Sequence, residues 1–187
     1  MAWLDQDPKH VLLLLYRLEL GYKVGNLISA MKSNEIDVVA HCCNCFNTMG
    51  SGIAPLIASQ VPEAREVDKE TIKGDISKLG TFSCAWDAPT KVFNLYGQYN
   101  YGNDGKKYLS DDALDDAIKL MSEYLNKKDP ERKLTIGLPM IGAGRAGGDW
   151  HKIEEFIQWW LCSQGWKVTI YVLTEEDVPA WGVLYEE

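Results

Sequence analysis

The sequence predicts an α/β fold: a three-layer α/β/α sandwich around a mixed, largely parallel central sheet. Two observations carry that prediction. Residues 37–43 form a continuous small and β-branched run, the pattern of a strand buried on both faces. Strand-like segments then alternate along the chain with helical ones, the arrangement that places helices on both faces of a parallel sheet.

Taken in order, residues 18–24 read as a strand that Gly25 and Asn26 end, and residues 37–43 as the central strand. A loop rich in Asn, Gly and Ser covers residues 44–52. Residues 53–60 read as a helix, and residues 62–73 as another with Pro62 in its first turn. Residues 81–86 and 91–96 are two strands joined across Asp87, Ala88 and Pro89, a turn or hairpin. The clearest helix runs from Asp111 to about Lys127. Ser110 is its N-cap, two aspartates occupy its first turn, and Leu114, Ala117, Ile118, Met121 and Leu125 define its buried face. A strand at 134–138 leads to a second glycine-rich loop, 142–148. Asp149 then caps a helix whose apolar face holds Trp150, Ile153, Phe156, Ile157, Trp160 and Leu161. Residues 167–173 are the last strand.

Composition bounds the function. A chain of 187 residues suits one domain, 1–187, with its core at about 18–174. Its 19 Lys and Arg against 27 Asp and Glu leave a formal net charge of −8. That balance argues against a nucleic-acid partner, which needs a clustered basic face, but permits an anionic ligand held by backbone amides. The longest apolar run, residues 11–16, is far short of the ~20 residues that span a membrane, and no secretory signal follows from it. Five cysteines, three crowded at Cys42, Cys43 and Cys45, read as reduced thiols of a cytoplasmic protein.

The two glycine-rich loops carry the functional signal. Each lies between a strand and a helix, where glycine lets backbone amides approach a ligand and where ligands of such sheets usually bind. Either loop alone is equally a tight turn; two facing one crevice would cradle a diphosphate. Gly142, Gly144 and Gly147 reproduce a dinucleotide fingerprint, yet no acidic residue follows at the required distance and about 40 residues are too few to complete a Rossmann domain. Adjacent residues of the strand bearing His41, Cys42 and Cys43 point to opposite faces, so they do not read as a zinc site, and no metal is expected. His41 is either a core histidine or a catalytic one. Asn44, at the strand's end, has donors and an acceptor suited to sugar hydroxyls. Asp104 reads as an exposed turn residue, with handling of water as its lesser alternative, and Asp149 as a helix cap.

Together these segments resemble the macrodomain family. Residues 37–44, followed by Met49, Gly50, Ser51, Gly52, Ile53 and Ala54, are similar to that family's ribose-and-phosphate segment. Residues 138–144, running to Gly148, Asp149 and Trp150, are similar to its second phosphate loop. His41 to Cys45 and the Gly25-Asn26 pair most resemble the branch of ADP-ribose 1''-phosphate phosphatases. The resemblance implies that Asn26 and Leu27 lie near adenine and that Asn44 contacts the distal ribose. It implies a substrate-binding set of Met49, Gly50, Ser51, Gly52 and Ile53 with Ile141, Gly142, Ala143, Gly144 and Arg145 around the diphosphate. His41 and Asn44 are the candidate catalytic residues. The implied function is hydrolysis of ADP-ribose 1''-phosphate, with ADP-ribose or that derivative as the small-molecule partner and no cofactor. The alternatives are a non-catalytic ADP-ribose-binding module and a hydrolase that removes ADP-ribose from modified targets. A sister branch uses a lysine for the latter reaction; Gln98 stands in its place and cannot act as an amine nucleophile.

Overall fold

A computed structural model describes residues 20–185; the start of the first expected strand, Leu18 and Glu19, and the leucine-rich stretch before it lie outside the described residues. The strands are β1 (Leu20–Val24), β2 (Val38–Asn44), β3 (Phe82–Ala85), β4 (Lys91–Gln98), β5 (Ile136–Leu138) and β6 (Val168–Val172). The helices are α1 (Leu27–Lys32), α2 (Ala54–Gln60), α3 (Glu63–Lys69), α4 (Asp111–Lys128) and α5 (Trp150–Trp160). The sheet order is β1-β6-β5-β2-β4-β3, parallel throughout except for the β3–β4 hairpin.

Alternation along each strand sorts side chains between two layers. Val38, Ala40, Phe93, Leu95, Val168 and Ile170 pack with Leu114, Ile118, Ile153 and Ile157 of α4 and α5. Val39, Val92 and Tyr171 pack on the opposite face with Leu27, Met31, Ile57, Val61 and Ala64 of α1–α3. The mixed sheet between two helical layers is therefore present as expected. Ser110 caps α4 by accepting the Ala113 N–H at 3.3 Å, and Asp149 caps α5 by accepting the His151 N–H at 3.0 Å.

Among the differences from expectation, three have a clear local cause. α1 was not expected: Asn26 starts it, its Oδ1 accepting the N–H groups of Ile28 and Ser29 at 2.9 and 3.2 Å. Its six residues are too few for a 3.6-residue period to repeat. α3 ends at Lys69, short of Lys73, because Thr71 Oγ1 donates to the Asp68 carbonyl at 2.6 Å and the Asn47 amide takes up that same carbonyl. β5 starts at Ile136, because Leu134 N–H goes to the Asp129 carboxylate and Thr135 N–H to that of Asp37, each at 2.8 Å, in place of ladder partners.

Candidate functional site

Neighbouring strands β2 and β5 send their chains opposite ways. β2 continues through α2 and α3 toward β4, and β5 through α5 toward β6. At such a switch point the loops leaving the carboxyl ends of the two strands diverge and open a crevice. Here it is a cleft of about 230 Å³, lined by Ser51, Gly52 and Ile53 of the first loop and by Ile141, Gly142, Gly144 and Arg145 of the second. His41 and Cys42 of β2, Gln98 of β4, and Ala54, Pro139, Met140 and Ala146 complete the lining.

The loops present open amides. Among the described residues, the N–H groups of Gly50, Ser51, Gly52 and Ile53, and those of Gly142, Gly144, Arg145 and Ala146, donate to no protein acceptor. Such groups bind anions without formal charge. Gly52 (φ +60°) and Gly142 (φ +73°) occupy the left-handed region that L side chains rarely adopt. A Cβ on Gly52 would meet nothing within 4 Å, so it would project into open space. Arg145 is exposed and makes no ion pair among the described residues.

Several expected residues lie elsewhere. Asn44 is turned into its own loop: Nδ2 donates to the Thr48 carbonyl at 3.0 Å and Oδ1 accepts Phe46 N–H at 2.9 Å. Met49 packs inward with Cys43, Cys45, Ala58 and Tyr96. Gly50 is exposed beside the lining, and Ala143 packs against the larger apolar cluster. Asn26 and Leu27 lie at the carboxyl end of β1, outside the lining; Leu27 is buried and Asn26 is the α1 cap. Asp104 is a surface residue paired with Lys106 and accepting the Tyr108 hydroxyl.

His41 is 1% exposed and opposite Asn94 in the β2–β4 register. Its Nε2 lies 2.8 Å from Asn94 Oδ1. The Asn94 amide nitrogen donates to the Ala64 carbonyl (2.8 Å) and to Ser83 Oγ (3.0 Å), so its oxygen faces the ring and Nε2 carries the proton. Burial pulls the imidazole from its ordinary 6.5 down to about 4, against the smaller upward pull of the Asn94 bond. His41 is therefore neutral at pH 7, with Nδ1 as an acceptor. It is not the proton donor that a free histidine would be. Burial likewise pushes the Cys42 thiol up to about 12, which removes it as a nucleophile.

Sequence reasoning missed the groups behind this face of the sheet. From Ser83 the polar chain runs to the Tyr96 hydroxyl (2.8 Å) and on to Asp68 Oδ1 (2.8 Å). Burial raises the Asp68 carboxyl, while Tyr96 and Lys78 pull it down less strongly. Lys78 Nζ stands 3.9 Å from Asp68 Oδ1 and 4.4 Å from the centre of the Tyr96 ring. It donates to the Cys45 carbonyl (3.2 Å) and Asn47 Oδ1 (3.1 Å) at the root of the first loop. One signal was readable: an asparagine in the middle of the apolar run Val92 to Tyr96 must find polar partners inside the protein.

No protein-family model matches this chain. The uncharacterized 17.5 kDa protein of the tk-vs intergenic region of enterobacteria phage T4 is 38% identical over 121 residues, 62% of this chain and 74% of that protein. The ADP-ribose 1''-phosphate phosphatase of Candida albicans is 23% identical over 143 residues, 74% of this chain and 92% of that enzyme. A mutant macrodomain of Oceanobacillus iheyensis, solved with ADPR, superimposes with a TM-score of 0.59 at 17% identity, over 84% of this chain and 87% of that one. The chain thus has the macrodomain fold and belongs to one family with the T4 protein.

Proposed function

We propose that the cleft binds ADP-ribose and that the protein hydrolyses ADP-ribose 1''-phosphate to ADP-ribose and phosphate. The observation that carries this reading is the pair of facing loops with open amides at the switch point. They suit a diphosphate, with the adenine toward β1 and the distal ribose toward β4. The resemblance to the Candida enzyme supports the choice of substrate.

In the reaction a water oxygen attacks phosphorus, the bond from phosphorus to the 1''-oxygen breaks, that oxygen takes up a proton, and orthophosphate leaves. Loop amides and Arg145 would stabilise charge on the transferred group. His41, neutral, would orient the water only by giving up the Cys43 thiol that lies 3.6 Å from Nδ1, and would not protonate the leaving oxygen. His41 should accordingly contribute no step to the pH–rate profile between pH 6 and 8. The test is phosphate release from ADP-ribose 1''-phosphate by wild type and His41→Gln, with ADP-ribose binding measured in parallel. Loss of turnover with binding kept supports the reading; equal turnover in the variant removes His41 from the reaction.

A second reading has its own observation. Among the described residues the lining contains one charged side chain, Arg145, and no carboxylate. That favours a module that holds ADP-ribose without turnover, which would show as calorimetric binding with no phosphate released.

A further inference from the structure

We propose that Lys78 is a positioning residue of the cleft: acting through the Cys45 carbonyl and the Asn47 side chain, its buried ammonium presets the shape of the loop at 45–53. The inference deepens the ligand reading above and rests on it only for the identity of the ligand.

Lys78 is 7% exposed, an unusual place for a lysine. A buried ion pair gives little net stability relative to apolar side chains of similar volume, so Asp68 alone does not account for it. What an apolar residue cannot do is donate hydrogen bonds in fixed directions. Both hydrogen-bond acceptors of Lys78 belong to the segment leaving β2. The Cys45 carbonyl also accepts Gly74 N–H at 2.8 Å, so the turn carrying Lys78 grips that carbonyl twice.

Asn47 is the next link. It has φ +56°, a conformation costly for a residue with a side chain unless its surroundings hold it. Lys78 holds its oxygen, while its nitrogen donates to the carbonyl of Asp68 and to the carbonyl and hydroxyl of Thr71. Beyond Asn47 the amides of residues 50–53 have no acceptor among the described residues. The path of that tip is therefore set at its root, where Lys78 acts beside the Asn44 side chain. The same chain of bonds reaches His41 through Tyr96, Ser83 and Asn94. Both the phosphate loop and the histidine beside it hang from one buried polar assembly.

The experiment compares wild type with Asp68→Asn/Lys78→Met, which removes both charges so that neither is left buried alone, and with Asn47→Gly, which keeps the positive φ. Backbone ¹⁵N order parameters of the ligand-free proteins are measured together with ADP-ribose affinity. The expected result is a drop at residues 48–53 from about 0.85 to below about 0.6 in both variants, with residues 142–146 unchanged. ADP-ribose affinity should fall about tenfold, the cost of ordering a loop that is no longer preset. Unchanged order at 48–53 overturns the inference, as does equal loosening of both loops, which would make Lys78 a support of the whole fold. If wild type binds no ADP-ribose, the ligand reading fails and the order parameters still decide the role of Lys78.

Discussion

The loop at 45–53 hangs chiefly from buried polar side chains, with Met49 as its apolar contact, whereas the loop at 139–148 is set by main-chain bonds and apolar packing. In the second loop, Gly148 N–H donates to the Gly142 carbonyl at 2.9 Å, and Tyr108 and Leu109 both donate to that of Ala146 at 3.0 Å. A Cβ on Gly142 would meet Leu114, Ile153 and Leu109 at 3.1 to 3.3 Å, so the backbone lies directly on the core. The two walls of one cleft are thus ordered mainly by different physics. Polar anchors give direction but depend on protonation; apolar anchors ignore pH but depend on volume.

The largest effect should come from attacking what the halves share. Gly52→Glu places a carboxylate in open space at the cleft and should weaken ADP-ribose binding on the order of a hundredfold or more. The positive φ there should lower stability by only about 1 kcal/mol, so thermal unfolding remains cooperative. A variant that binds normally would remove the first loop from the site. Next, Leu114→Ala opens a cavity beneath Gly142 and should cost about 2–5 kcal/mol in denaturant unfolding. It should loosen the second loop and leave the first in place; the reverse pattern would break the contrast.

Acid should separate the halves in the other direction. The native His41 imidazole sits at about 4 against an ordinary 6.5, so the unfolded chain binds more protons between those values. Its contribution, about 3 kcal/mol, is fully present above pH 6.5 and is lost as pH falls toward 4. His41→Gln should flatten that part of the stability profile, measured as unfolding free energy at pH 7 and pH 4; equal slopes would show that His41 does not titrate as its burial demands. The smallest effect belongs to Arg145→Gln. Removing one exposed charge should weaken ADP-ribose binding a few-fold, about 0.5–1 kcal/mol, with the difference shrinking at high salt.

The same contrast explains what could be read from the sequence. The second loop and its support were legible because apolar spacing placed Leu114 and Ile153 on buried helix faces, while Ser110 and Asp149 marked where those helices begin. The first loop was legible as a glycine-rich stretch, but its support was not. Asp68 and Lys78 each look like surface residues of a charged segment, and only the fold brings them to Tyr96. Charge in a sequence carries no record of its partner, whereas an apolar period does carry a record of its face. α1 escaped for a simpler reason: one capping asparagine and six residues leave no repeat to detect.

The sheet order has a consequence for how the protein comes into being. β2 ends at Asn44 and β5 begins at Ile136, yet they lie side by side at the centre of the sheet. Everything made between them must find its place before the cleft has two walls. A nascent chain halted before β5 would carry one wall of the cleft and should capture nothing. A ligand of this cleft should therefore recognise only finished molecules, and by mass action hold them folded.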